Sequence, residues 1–147
     1  MADLSLNAVV SQKIEVSPGL IILRVVPVGW ELPDYKAGQF TVLGLPGTAQ
    51  RHNFSDEEIP LKDKKKLIRR AYSVSSASVN KEYIEFYITM VRSGALTPRI
   101  FALETGDKIF LSQKFSGVFT LEMTESDSNI VMLGTGTGLA PYMSMLR

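Results

Sequence analysis

Arg70-Ala71-Tyr72-Ser73-Val74-Ser75-Ser76 places a cation, an aromatic ring and several hydroxyls on one short β-prone segment. Side chains of a strand alternate between its faces, so Arg70 and Tyr72 share a face about 7 Å apart while Ser73 points the other way. A guanidinium fork matches a diphosphate, and a tyrosine offers a flat surface on which a ring system can stack. Ser73 can still present its hydroxyl or backbone amide at the edge of such a ring. So short a match fits an ordinary strand with a half-exposed Arg and Tyr equally well, and its surroundings must decide.

Those surroundings are β-rich. Val9 to Val16 and Leu20 to Val28 are dominated by β-branched residues and are separated by Ser17-Pro18-Gly19, which reads as two strands and a turn. Gln39 to Leu43, bracketed by Gly38 and Gly44, is a third strand, and a polar loop of roughly Pro46 to Leu67 follows it. Arg70 to Ser76 is the fourth. In Glu82 to Val91, Ile84, Phe86, Ile88 and Met90 alternate with Tyr83, Glu85, Tyr87 and Thr89, the period-two signature of one buried and one mixed face. Lys108 to Ser112 and Val118 to Leu121 are further short strands. Many short strands joined by turns predict an antiparallel barrel or sandwich. Trp30 and Phe40 are expected in its core.

Beyond the Glu82–Val91 strand, Ser93-Gly94-Ala95-Leu96-Thr97-Pro98 reads as a turn feeding a helix, with Thr97 as N-cap, Pro98 at the first helical position and Gly106 as the stop. Unpaired amides at such a helix start favour an anion. The segment is also compatible with a plain strand–helix turn. Its position beside a strand that pairs with the Arg70 strand brings two phosphate-friendly elements next to one stacking tyrosine, as a dinucleotide site requires.

After a polar connector, Glu122 to Asn129, the chain changes style. Ile130 to Leu133 reads as a buried parallel strand running into Gly134-Thr135-Gly136-Thr137-Gly138-Leu139-Ala140-Pro141, and Leu139, Tyr142, Met143 and Leu146 recur at helical spacing. The loop is neither G-x-G-x-x-G, because Leu139 fills the sixth position, nor a P-loop. Its glycines would let a ligand approach the backbone closely. The expectation is the first βα unit of a second domain, and the last fifteen or so residues are expected to be disordered or packed in a non-native way.

Bulk properties exclude several classes. A formal net charge of +1 gives no reason to expect nucleic acid, and 45% hydrophobic with 21% charged residues is ordinary for a soluble globular chain. With no cysteine there is neither a disulfide framework nor a thiolate-held cluster, and one histidine, His52, is too few for a zinc cage. Met1 to Ser11 lacks the charged flank and apolar run of a signal peptide. No apolar stretch approaches the roughly 20 residues of a membrane span, so a cytoplasmic, soluble protein is expected. Lys62, Lys64, Lys65, Lys66, Arg69 and Arg70 form a basic cluster that reads first as a solvated face, and alternatively as a docking patch for an acidic electron-transfer protein.

Laid out in this order, the motifs resemble the ferredoxin/flavodoxin–NADP reductase family, in its bacterial type. Gly38-Gln39-Phe40, Arg70-Ala71-Tyr72-Ser73, Phe86-Tyr87-Ile88-Thr89 with Val91 and Gly94-Ala95-Leu96-Thr97-Pro98-Arg99, and Gly134 to Pro141 match four family segments in the correct sequence. The resemblance implies a mainly β fold: a six-stranded antiparallel Greek-key FAD-binding barrel with a short capping helix over residues 1–125. Residues 126–147 would begin a truncated α/β NADP-binding domain. It implies that Tyr72 stacks on the isoalloxazine, that Ser73 lies near its reactive edge, and that Arg70 binds the FAD diphosphate. Ala71, Tyr87, Ile88, Thr89, Val91, Gly94, Ala95, Leu96 and Thr97 would complete the FAD site. Thr135, Gly136, Thr137 and Gly138 would meet flavin and nicotinamide from the NADP side.

The implied activity is electron transfer between NADP(H) and ferredoxin or flavodoxin through FAD, with hydride passing between nicotinamide and flavin, in a monomeric cytoplasmic enzyme without metal. The chain alone is expected to be inactive toward NADPH. A different flavin reductase on the same scaffold, such as an oxygenase reductase component, and a non-enzymatic ligand-binding barrel are the alternatives. Two departures from the family pattern stand out: Lys114-Phe115-Ser116-Gly117-Val118-Phe119 in place of a Gly-Pro-x-Gly-x-Phe turn, and a long loop before Arg70.

Overall fold

The computed structural model describes residues 6–147. The first five residues of the expected barrel domain, and with them the start of the Met1–Ser11 segment, lie outside the described residues. The chain folds as β1 (Ala8–Ser17), β2 (Leu20–Pro27), β3 (Phe40–Pro46), β4 (Leu67–Ser73), β5 (Ile84–Thr89), α1 (Thr97–Phe101), β6 (Lys108–Leu111) and α2 (Leu139–Leu146), with a 3-10 turn at Gly136–Gly138. The architecture is mainly β: one six-stranded sheet ordered β4-β3-β6-β1-β2-β5, antiparallel throughout.

The two edge strands meet. An antiparallel bridge joins Val74 to Phe86, and the Ser75 N–H donates to the Glu85 carbonyl at 2.9 Å. Closure removes the exposed edges that an open sheet would present. Register irregularities between Val10 and Gln12 and between Glu15 and Ser17 supply the local bending that a curled strand needs. Alternation fills the interior as the sequence patterning demands: Ile21, Leu23 and Val25 of β2, and Ile84, Phe86 and Ile88 of β5, are all buried. Ile100, Phe101 and Leu103 of the α1 region close one end of that core.

Several expectations are corrected. Val118–Leu121 is not a strand. After the paired Ser116, Gly117 at φ +117° turns the chain away, and Val118 is 97% exposed. Ile130–Leu133 is not a strand either, and Val131 and Leu133 are exposed. An apolar run becomes a strand only where a neighbour accepts its backbone hydrogen bonds, and no described segment pairs with this one. Phe40 is 38% exposed rather than core, whereas Trp30 packs against the core's edge and donates its indole N–H to the Asn7 carbonyl at 2.8 Å. Thr97 is the first residue of α1 and not its N-cap. Its hydroxyl is engaged by Val91, accepting from that residue's N–H at 2.9 Å and donating to its carbonyl at 3.1 Å. The α1 helix ends at Phe101, well before Gly106.

The α2 helix packs against the barrel. Ala140 and Ser144 of α2 are buried, and the Ser144 hydroxyl donates to the Ser76 carbonyl at 2.7 Å.

Gly38 controls one contact behind β3. It has φ +101°, and a Cβ there would lie 1.8 Å from the Phe119 carbonyl oxygen and 2.7 Å from the Met145 methyl. Gly38→Ala is therefore expected to cost about 1–3 kcal/mol, through backbone strain and displacement of residues 117–121. Calorimetry should show a lowered melting temperature; an unchanged one would mean that this close approach does not exist.

Candidate functional site

The β4 and β5 strands, the turn after β5 and the start of α2 surround one groove of about 510 Å³. Arg70, Ala71, Tyr72 and Ser73 line it from β4; Tyr87, Ile88 and Thr89 from β5; Val91, Gly94, Ala95, Leu96 and Thr97 from the turn. Thr137 and Ala140 line it from the α2 side. The barrel seam explains this gathering. Closing β4 onto β5 through Val74 and Phe86 sets the two strands at opposite ends of the sheet order side by side, and the turn after β5 then overhangs the open end.

Thr135, Gly136 and Gly138 stay outside the groove wall and are exposed. Gly136, at φ +54°, shapes the 3-10 turn that aims Thr137 inward. Ala140, which the sequence reading did not single out, is three residues past Thr137, one helical turn along the same face. His52 lies away from the groove, beside Phe54 and Phe101, on a second cavity of about 570 Å³.

The polar groups of the groove are disposed for an anion. Arg70 is exposed, and among the described residues its guanidinium donates only to the Arg69 carbonyl, at 2.7 Å. Arg69 faces elsewhere, 4.5 Å over the Phe110 ring, as the alternation of strand faces requires. Among the described residues no backbone carbonyl accepts from the N–H groups of Ala95, Leu96 or Thr97. The α1 helix, only five residues long, contributes little of its own; the donors belong to the turn. A Cβ at Gly94 would crowd the Val91 carbonyl at 3.0 Å.

Tyr72 supplies the flat element. Its ring stands edge-on to Phe86, with centroids 6.4 Å apart at 73°, which fixes the plane it turns to the groove. Burial pushes its hydroxyl up to about 12, against a smaller opposing effect of the Arg70 charge. The phenol is therefore neutral at physiological pH.

Two charged clusters that the sequence reading missed hold the groove's walls. Glu85 was expected on the mixed face of β5 but is buried. Its carboxylate accepts from Arg24 Nε at 3.0 Å, Ser75 Oγ at 2.8 Å and Arg147 Nη1 at 2.5 Å. Burial pushes its pKa up, but hydrogen bonds from Ser75, Arg147 and Arg24 outweigh that and bring it below the ordinary carboxylate value. This cluster ties α2 to the barrel seam. Glu58, in the long loop before β4, is held below its ordinary value chiefly by hydrogen bonds from Arg99. Neither cluster has a local sequence signature, since each joins residues dozens of positions apart.

No protein-family model matches the chain. Among curated proteins, the flavodoxin/ferredoxin–NADP reductase of Buchnera aphidicola subsp. Schizaphis graminum is 38% identical over 117 residues, 80% of this chain and 42% of that protein. The ferredoxin–NADP reductase of Azotobacter vinelandii is 34% identical over 113 residues, 77% of this chain and 37% of that protein. A solved ferredoxin NADP+ reductase from Neisseria gonorrhoeae, with bound FAD and NADP, superposes with a TM-score of 0.75 at 26% identity, over 95% of this chain and 49% of that one. The chain thus spans less than half the length of each of these three relatives, and over most of its own length it is homologous to proteins named flavodoxin/ferredoxin–NADP reductase. Among the described residues no helix is long and apolar enough to cross a membrane.

Proposed function

We propose that this chain is the FAD-binding portion of a flavodoxin/ferredoxin–NADP reductase, which passes electrons between NADP(H) and a one-electron carrier protein. The observation that carries the reading is one groove lined by Tyr72, by Arg70, which has no acidic partner among the described residues, and by the 94–97 turn, whose Ala95, Leu96 and Thr97 amides have no backbone acceptor among them. An apolar planar ring joined to a diphosphate needs those groups together, and the N. gonorrhoeae relative binds FAD.

In this reading Tyr72 lies against the isoalloxazine, with Ser73 at its edge. Arg70 and the amides of Ala95, Leu96 and Thr97 take the diphosphate. Tyr87, Ile88, Thr89 and Val91 line the remainder, and Thr137 with Ala140 forms the wall on the α2 side. FAD, when bound, supplies the interconversion of two-electron and one-electron transfer. The protein contributes position and field: a neutral phenol, a fixed cation and a shielded wall. Residues 126–147 would open the NADP-binding domain, with Thr135, Gly136 and Gly138 turned toward nicotinamide. Ferredoxin or flavodoxin is the proposed carrier, and a cytoplasmic monomer without nucleic-acid or membrane contacts completes the reading.

Added FAD is expected to lose fluorescence and shift its visible absorbance on binding the purified chain. The same 147 residues should not reduce a dye with NADPH, because among the described residues there is one sheet and it belongs to the barrel. An unperturbed FAD spectrum would sink the flavin reading. Rapid NADPH-dependent dye reduction would sink the placing of the NADP site in a second domain.

A further inference from the structure

The long loop between β3 and β4 is braced against the turn that overhangs the groove. Arg99 is 2% exposed and meets Glu58 fork to fork, Nη1 to Oε2 at 2.7 Å and Nη2 to Oε1 at 2.8 Å. The same guanidinium donates to the Ala95 carbonyl at 2.7 Å and the Gly47 carbonyl at 2.8 Å. Arg51 shares Glu58, at 3.0 Å, and donates to the Gly94 carbonyl at 2.8 Å. Backbone bonds fasten the loop on both sides of the turn: His52 N–H to the Pro98 carbonyl at 2.9 Å and Asp56 N–H to the Arg92 carbonyl at 3.0 Å.

Carbonyl and amide of one peptide unit point in opposite directions. Two arginines that draw the Gly94 and Ala95 carbonyls backward therefore turn the amides of Ala95 and Leu96 forward, into the groove. The geometry points to Glu58 as a positioning residue: through Arg51 and Arg99 it pre-organises the 94–97 turn for the phosphate part of the groove's ligand. This inference rests on the flavin reading above and gives the long loop, a departure from the family pattern, a task.

The test compares FAD with riboflavin, which carries the same ring and no phosphate. Glu58→Gln preserves the shape and removes the charge. It is expected to weaken FAD binding about tenfold, the order of one lost charge-assisted contact, while riboflavin binding stays within about twofold. Arg51→Gln cuts the tie to Gly94 and spares the Arg99–Glu58 fork, so it should show the same FAD-selective loss, and it carries the test should Glu58→Gln fail to fold by circular dichroism. Equal losses for both ligands would mean general loosening and overturn the inference, as would unchanged FAD affinity. A wild-type chain that binds neither ligand would overturn the flavin reading itself, before any variant is compared.

Discussion

Alanine at Tyr72 is expected to weaken FAD binding roughly 10- to 100-fold, since losing an aromatic platform under a stacked ring costs about 1–3 kcal/mol. Tyr72→Phe should stay near wild type. The hydroxyl, with its pKa raised to about 12, remains neutral, and stacking needs only the ring. Arg70→Ala should produce a loss of similar size, because a charge-assisted hydrogen bond contributes about 1.5–3 kcal/mol. That loss should shrink as salt rises, since Arg70 is exposed and its field is screened. Arg70→Lys, which keeps the charge but not the planar fork, should fall between. Fluorescence titration of FAD against each variant measures all four. Unchanged affinity in both alanine variants would refute the placement of the flavin in this groove.

The two residues behind that prediction were legible because their information is local. Arg70 and Tyr72 are neighbours on one strand face, and period-two alternation placed Ile84, Phe86 and Ile88 inward, where all three are buried. What was not legible depends on partners distant in the chain. Ile130–Leu133 has the composition of a strand and no ladder to join. Val118–Leu121 looks the same, and Gly117 carries it out of reach. The Thr97 hydroxyl could cap a helix or bond backward to Val91, and only the closed turn shows which. Glu85 occupied an outward position by its spacing, but it is buried where three donors converge on it. The Arg99–Glu58 pair spans 41 positions, and no local pattern announces such a contact.

Phe86 is where the fold and the groove depend on the same side chain, and its truncation is the largest stability change expected here. It is fully buried at the middle of β5, opposite Leu23 of β2 and bridged to Val74 at the barrel seam. Its ring meets Tyr72 edge-on. Phe86→Ala removes the core's largest fully buried side chain and leaves a cavity beneath the seam, at a cost of about 3–5 kcal/mol. For a domain of this size that should lower the melting temperature by roughly 10 °C, from a total stability on the order of 5–15 kcal/mol. Tyr72, having lost the ring that orients it, should hold FAD several-fold less tightly, but better than Tyr72→Ala does, because the platform is still present. Saturating FAD should recover part of the lost melting temperature by mass action, and a Phe86→Leu variant should recover most of it without ligand. A Phe86→Ala chain that melts within a degree or two of wild type would show that β4 and β5 are not packed on each other. The groove, which exists only because that seam closes, would then have to be placed elsewhere.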